Sequence, residues 1–375
     1  MLYSTSRYRS FKKIILLSLL FFLPLVVSIN VFELETTYIN VLLCFALLAS
    51  FFVLFKVFIK PLDKVTKEIA ALVASKPYSR LNIFSKDEFG LIAFFFNDIT
   101  KNIEKISYML KEGSRMSEEL SIASSIQQSV LPKSIPKIPF LDTVAKTRSA
   151  EEIGGDSFAI SPHNDNYFIY IGDVTGHGAP AGLVMMITNT LFEVLLPKAK
   201  KTKDLAASIN KLLKPRVNST MFMTTVFFRF DPKQKRMFYT GCGHEHILVY
   251  RADEGVTEVI TTGGIALAMA DDIEKIVEEK EIKLKANDVV VLYSDGITEA
   301  INDKQELFGL ERLTACVSKY GHLGDSLKIF EAISKDVTTF VAETIQNDDM
   351  TLICMRLTEL DFKSDREQTM LVTNW

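Results

Sequence analysis

Cysteine is scarce in this 375-residue chain: Cys44, Cys242, Cys316 and Cys354 stand far apart, and no Cys-x-x-Cys pair occurs. That spacing gives neither a disulfide framework nor a zinc ligand set, so reduced apolar side chains are expected. An excess of positive charge is missing as well. The formal net charge is −3, and nothing in it argues for a nucleic acid as partner. No Gly-x-Gly-x-x-Gly follows a strand-like run and no Gly-x-x-x-x-Gly-Lys-[Ser/Thr] occurs, which counts against nucleotide-binding folds.

What is present in quantity is apolar sequence. Residues 14–32 and 36–55 carry no charged side chain, and each is long enough to cross a bilayer core of ~30 Å. Only Glu33, Leu34 and Glu35 separate them, which predicts a tight transmembrane hairpin over 14–60 with no room for an external ligand-binding domain. Arg7, Arg9, Lys12 and Lys13 precede the first span, Lys56, Lys60 and Lys64 follow the second, and the turn between has no Lys or Arg. The positive-inside rule therefore places a short N-terminus, 1–13, and everything after residue 60 in the cytoplasm. No small-x-small cleavage site precedes Glu33, which argues against a signal peptide.

Two amphipathic helices are predicted within 61–115. Leu62, Val65, Ile69 and Leu72 share one face of the first, and Leu91, Phe95, Ile99, Ile103, Ile106 and Leu110 one face of the second. Neither helix buries its stripe alone, so a homodimeric four-helix bundle is expected. With Pro61 just after the membrane and "DEFGLIAFFFNDI" in the second helix, the segment resembles a HAMP signalling domain. A regulatory helix and linker occupy 116–139. Met116, Leu120, Ala123, Ile126 and Val130 keep helical spacing up to Pro132, but out of register with Leu110. Gly113 lies in the gap, so a break or a stutter is expected there.

From 140 to 360 the pattern changes. Short β-rich runs such as "NYFIYIGD", "FMTTVFFRFD", "HILVYRA", "DVVVLYSD" and "MTLICMRL" alternate with turns, and two longer helical stretches are interleaved. Hairpin-like pairs with grouped helices predict an α+β domain in layers rather than a doubly wound parallel sheet. A short tail, 361–375, follows.

Carboxylates stand at the ends of these strands beside glycines: Asp156 in "EEIGGDSF", Asp173 in "YFIYIGDVTGHG", Asp295 in "DVVVLYSDGITEA", and Asp348 and Asp349 in "QNDDMTLICMRL". Aspartate disfavours strands, and a buried carboxylate needs a partner. Acids brought together there raise one another's pKa unless a cation neutralises them. A set of carboxylates and carbonyls selects Mg²⁺ or Mn²⁺ over zinc. Three or four such acids can hold two ions about 3.5–4 Å apart and activate a water against a phosphoryl group.

The same stretches, with "FMTTVFFRFDPKQKRMFYTGCGHEHILVYR", "GGIALAM" and "DDMTLICMRL", resemble in order and spacing the motifs of the SpoIIE/RsbU-type branch of the PPM metal-dependent serine/threonine phosphatases. The resemblance covers about residues 118–358. It implies a four-layer α-β-β-α sandwich behind the hairpin and HAMP-like bundle. Two divalent cations, Mn²⁺ or Mg²⁺, are implied, with Asp173 and the Val174 carbonyl between them, Asp295 and Asp348 completing the sites, and Asp156 at the same place directly or through water. Asp173 and Asp295 are then the acids central to catalysis, and Asp349 hydrogen-bonds nearby. The implied substrate is a phosphoserine or phosphothreonine protein, often an anti-anti-sigma (STAS-domain) factor in a partner-switching pathway. The location is the bacterial cytoplasmic membrane, crossed twice, with the catalytic domain inside. Departures from the family pattern are Ala159, where a second acid is common, His177, where Lys or Arg is common, and "GHEHIL" in place of Gly-His-Asn-Pro-Pro. Ala159 leaves one alternative open, a catalytically weak or silent HAMP-coupled scaffold with the same fold. His177 as general acid, His244 with His246 as a metal pair, and Lys198, Lys200, Lys201 and Lys203 as a docking patch are weaker readings than turn residues and a solvated helix end.

Overall fold

A computed structural model describes residues 36–83, 87–132 and 134–359, together with six positions between 15 and 27. Apart from those six positions, the expected first span, the N-terminus 1–13 and the tail 361–375 lie outside the described residues. The chain divides into two compact units, Met1–Arg115 and Met116–Trp375.

In the first unit, helix α1 (Thr36–Leu54) passes through a π-helical turn, Phe55–Ile59, into α2 (Lys60–Val73). By length and composition, Thr37–Val73 suffices to cross a membrane. Val65, Leu81, Ala93 and Phe96 form a small core with Leu72, Tyr78 and Ile83 against it. The connector between the helices is held by side chains. The Asn97 amide accepts from the Leu81 N–H at 2.9 Å and donates to its carbonyl at 3.0 Å, and the Glu68 carboxylate accepts from Ser79 N and Oγ.

Helix α3 runs from Glu88 to Val130 without interruption. The break considered at Gly113 does not occur. A Cβ there would meet nothing within 4 Å, and an interior glycine costs a helix only about 1 kcal/mol, so the change of register is carried as a phase shift in one continuous helix.

Among the described residues the second unit contains ten strands, β1 (Leu141–Arg148), β2 (Ser157–His163), β3 (Asn166–Val174), β4 (Met223–Asp231), β5 (Arg236–Cys242), β6 (Ile247–Arg251), β7 (Val256–Ile260), β8 (Lys280–Ile282), β9 (Val289–Tyr293) and β10 (Met350–Leu357). They form two antiparallel sheets, ordered β1-β10-β9-β6-β7 and β2-β3-β4-β5-β8. Strand periodicity of two explains the layering. Ile169 and Ile171 of β3 face Val290 and Leu292 of β9 in the core between the sheets. Their neighbours Phe168 and Tyr170 face outward under helices α4 (Ala179–Leu195) and α5 (Thr202–Leu213), and Val289, Val291 and Tyr293 face α7 (Gly309–Tyr320) and α8 (Ser326–Val341), with the short α6 (Asp295–Thr298) after β9. Both faces of β3 and β9 are thus buried, which is why their sequences read as unbroken apolar runs. The result is the expected four-layer α-β-β-α sandwich. A second helix, Ala179–Lys198, also has the length and composition of a membrane span, but Ala181, Val184, Met185 and Phe192 bury it against the sheet, so it is a core helix.

Candidate metal centre

The acids converge because the strands that carry them end at one edge of the sandwich. Asp173 and Val174 close β3, paired to Thr224 and Met223 of β4. The chain then turns through Gly176 and Gly178, at φ 84° and 74°, into the start of α4. A side chain is strained at those angles, which accounts for both glycines. Asp156 precedes β2, Asp295 follows β9 at the first turn of α6, and Asp348 and Asp349 precede β10. The first turn of α6 meets the loop before β10 at Gly296, where a Cβ would stand 2.0 Å from the Asp349 carbonyl oxygen.

Hydrogen bonds cross between the sheets at this edge. Asp156 is 2% exposed. Its Oδ2 accepts from Ser294 Oγ and Thr351 Oγ1, both at 2.6 Å, and the Asp173 carboxyl crowds it. Asp349 is committed to the backbone. It accepts from Ala150 N at 2.8 Å, Gly155 N at 2.6 Å and Asp156 N at 3.2 Å, and so shapes the loop that presents Asp156. Asp348 is half-buried and takes only the N–H of its neighbour, at 2.8 Å. Asp295 Oδ1 is buried and has no hydrogen-bond partner.

The electrostatics follow from burial and crowding. Burial, then Asp295, Asp348 and Asp349, push the Asp173 carboxyl up to about 8. Burial, then Asp348, Glu299 and Glu245, push Asp295 up to about 6. Asp156 lies well above the ordinary carboxylate range, from burial and then Asp173 and Asp349, and burial raises Asp348 too. Among the described residues, no three His, Cys, Asp or Glu side chains stand in position to close on one ion, since the acids turn to hydroxyl and backbone donors instead. Yet the donor set is all oxygen, one buried carboxylate oxygen has no partner, and the acids repel one another. Those three observations fit hard divalent cations. The Val174 carbonyl belongs to the same cradle, 3.1 Å from where a Cβ on Gly155 would sit.

Other candidates fall away from this centre. His177 lies at the exposed rim, with Nδ1 2.8 Å from Glu151. His244 is buried with Nδ1 3.1 Å from Thr224 Oγ1, and burial pushes its imidazole down to about 4. His246 meets Glu245 at 4.0 Å instead. Ala159 is buried under α4, away from the acids. Lys198, Lys200 and Lys201 are exposed beside the start of α5.

Several residues with no sequence signal complete the site. The Gln127 amide, near the end of α3, donates to the Gly154 carbonyl at 2.6 Å and accepts from Gly154 N at 3.2 Å. Asn189 of α4 donates to the Val130 carbonyl and accepts from Tyr170, whose hydroxyl lies 2.6 Å from Ser157 Oγ. The final turn of α3 is thereby tied to the residues on both sides of Asp156. Glu245 and Glu299 add acid around Asp295.

Comparison with known proteins agrees with this architecture. The profile of the family described as Stage II sporulation protein E (SpoIIE) matches residues 163–358. Phosphoserine phosphatase RsbU of Bacillus subtilis is 25% identical over 181 residues, 48% of this chain and 53% of that one. Protein IcfG of Synechocystis is 24% identical over 328 residues, 79% of this chain and 51% of that one. The chain thus spans about half the length of these two relatives. The SiaA-PP2C domain of Pseudomonas aeruginosa superposes with a TM-score of 0.55 at 17% identity, over 65% of this chain and 98% of that domain, a likeness of fold. With over half of its length matched by the profile and its strands and helices in the layers of a PPM phosphatase, the chain belongs to the SpoIIE family.

Proposed function

We propose that the chain is a membrane-anchored, metal-dependent protein serine/threonine phosphatase. The observation that carries this reading is the convergence of Asp156, Asp173, Asp295, Asp348 and Asp349 from strand ends of both sheets onto one crowded edge. Asp173, the Val174 carbonyl, Asp295 and Asp348 would hold two divalent cations, Mn²⁺ or Mg²⁺, with Asp156 beside them. When bound, such ions polarise a phosphoryl group and lower the pKa of water. The protein's own part is positioning. Ser294 and Thr351 fix Asp156, and Asp349 fixes its loop. The spare oxygens of Asp348, with one N–H to accept, favour it over Asp349 as the ligand. The substrate is a phosphoserine or phosphothreonine protein, in keeping with the printed name of the relative, phosphoserine phosphatase RsbU; a STAS-type anti-anti-sigma factor is the candidate that the motif resemblance implies.

Anchoring follows from the two apolar segments and the basic residues flanking them, which put the catalytic unit in the bacterial cytoplasm. Ile103, Ile106 and Leu110 are exposed along α3, and Met116 and Ile126 further on, two apolar stripes offset in phase that suit a homodimer through the HAMP-like and linker helices. A helix bundle with discrete packings would then bias the last turn of α3, and the Gln127 and Asn189 tethers would pass the change to the loop of Asp156.

The test is phosphate release from a phosphoserine protein by the full chain in detergent. Release is expected with Mn²⁺ or Mg²⁺ and is expected to stop on chelation; no release in either metal would favour the silent scaffold. A second prediction concerns the tether. Gln127→Leu leaves the Gly154 N–H and carbonyl buried without partners. Half-saturating Mn²⁺ should rise by about tenfold, the scale for losing an outer partner of a metal site, with a smaller change at saturating metal. An unaltered metal titration would remove Gln127 from the regulatory path.

A further inference from the structure

Beside the metal centre lies a groove of about 230 Å³. Gly296, Glu299 and Asp348 are among the residues that line it, so it adjoins the acids described above. Leu307, Val341 and Ile345 give it an apolar part of its lining. Leu307 is 55% exposed and Ile345 83%, large aliphatic side chains left in water at one opening. The Ile345 wall is fixed by its neighbour, since the Gln346 amide donates to the Arg148 carbonyl at 2.9 Å and to the Asp348 carbonyl at 2.7 Å. Charge is one-sided, for Glu299 and Asp348 line the groove and no Lys or Arg does.

The size decides the class of occupant. Small-molecule sites span about 300–1,000 Å³ and enclose the ligand, whereas this groove is smaller and open, the scale of a single side chain. It adjoins the metal centre through Gly296 and Asp348, within reach of a chain whose phosphorylated residue lies over the acids. We propose that the groove seats the substrate polypeptide next to the phosphorylated residue, taking an apolar side chain between Leu307 and Ile345 and a basic residue against Glu299. The inference deepens the phosphatase reading and rests on it. Leu307, Ile345 and Glu299 are then specificity-determining residues, and the preferred phosphosite carries an aliphatic and a basic neighbour.

The experiment uses the full chain in detergent with Mn²⁺ and fluorescent phosphoserine peptides. Leucine or serine is placed at successive flanking positions, with lysine or glutamate beside it. At one position, leucine should raise kcat/KM over serine by about tenfold or more, the discrimination an apolar pocket supplies. Ile345→Asp, at a side chain too exposed to matter for folding, should bring that ratio close to one. Glu299→Lys should reverse the preference for lysine over glutamate. A wild-type ratio near one at every position, or ratios that the two variants leave unchanged, would overturn the groove while leaving the phosphatase reading intact. Binding of the same peptides by fluorescence anisotropy separates the two ideas in the other direction. Peptide selectivity that depends on Ile345 and Glu299 without phosphate release keeps the groove and sinks the phosphatase, and no selectivity in binding either removes both.

Discussion

Asp173→Asn is expected to abolish metal-dependent phosphate release and, at the same time, to stabilise the metal-free protein. The loss should exceed the roughly 10–100-fold that follows from removing an outer hydrogen-bond partner of a metal site, because Asp173 stands at the centre of the acids and meets Asp156, Asp295, Asp348 and Asp349. The gain in stability follows from the same crowding. The Asp173 carboxyl is pushed from 3.8 up to about 8 in the folded protein. Between those values the folded chain holds a proton that the unfolded chain has released. Stability therefore falls as pH rises through that window, by up to about 1.4 kcal/mol per pH unit for one such group. Asparagine carries no charge and removes the dependence. Bound cations reverse the sign, since they favour the ionised carboxylate, and binding to the native state alone adds stability. Thermal unfolding in chelator at pH 6 and pH 8, repeated with Mn²⁺, checks this. Wild type should unfold at a lower temperature at pH 8 than at pH 6 without metal, the variant should lose most of that difference, and Mn²⁺ should stabilise only the wild type. Equal wild-type stability at the two pH values in chelator would mean that the acids are not in conflict.

Much of this centre can be read from the chain because a strand announces its own end. An apolar run that stops on Asp173 or Asp295 places a carboxylate at a sheet edge, and adjacent glycines mark where backbone must come close. The two buried faces of β3 and β9 make their runs conspicuous. The edge strands are quieter. β1 and β8 mix exposed and buried positions, β7 has no fully buried one, and all three are defined by the neighbours they pair with rather than by composition. Helices α5 and α7, each 12 residues long, were likewise hidden among polar residues. Asp348 and Asp349 are adjacent and chemically identical; what separates them is three backbone N–H groups from residues 150–156, almost 200 positions away. Gln127 and Gln128 are equally anonymous in "SSIQQSV", and only the tertiary contact with Gly154 selects the first. Gly113 misleads in the opposite sense, as a helix breaker with nothing around it to exploit a break.

Gly296 is a glycine of the other kind, and Gly296→Ala should have a large effect for a single added methyl at the metal centre. Its Cβ would stand 2.0 Å from the Asp349 carbonyl oxygen, 2.9 Å from that carbonyl carbon and 3.3 Å from the carbonyl carbon of Asp348. All three are backbone atoms, so no side-chain rotation relieves the clash. The neighbours are locked as well. Asp349 is bound by the 150–156 loop, and the Ser294 hydroxyl accepts from Thr351 N at 2.9 Å while holding Asp156. The first turn of α6 must therefore move away from the start of β10, carrying Asp295 from Asp348. Overpacking of this kind costs about 1–3 kcal/mol, a shift of several degrees in Tm for a domain of this size. Activity should suffer more than stability, since a displacement of about 1 Å at a reacting site costs on the order of 100-fold. Phosphate release and thermal unfolding, both measured with saturating Mn²⁺, separate the two effects. Ser294→Ala is the companion variant: it removes one donor to Asp156 without moving backbone, and should lower metal affinity more than it lowers turnover at saturation. If Gly296→Ala keeps wild-type turnover, Asp295 and Asp348 do not act together and the metal centre as drawn is wrong.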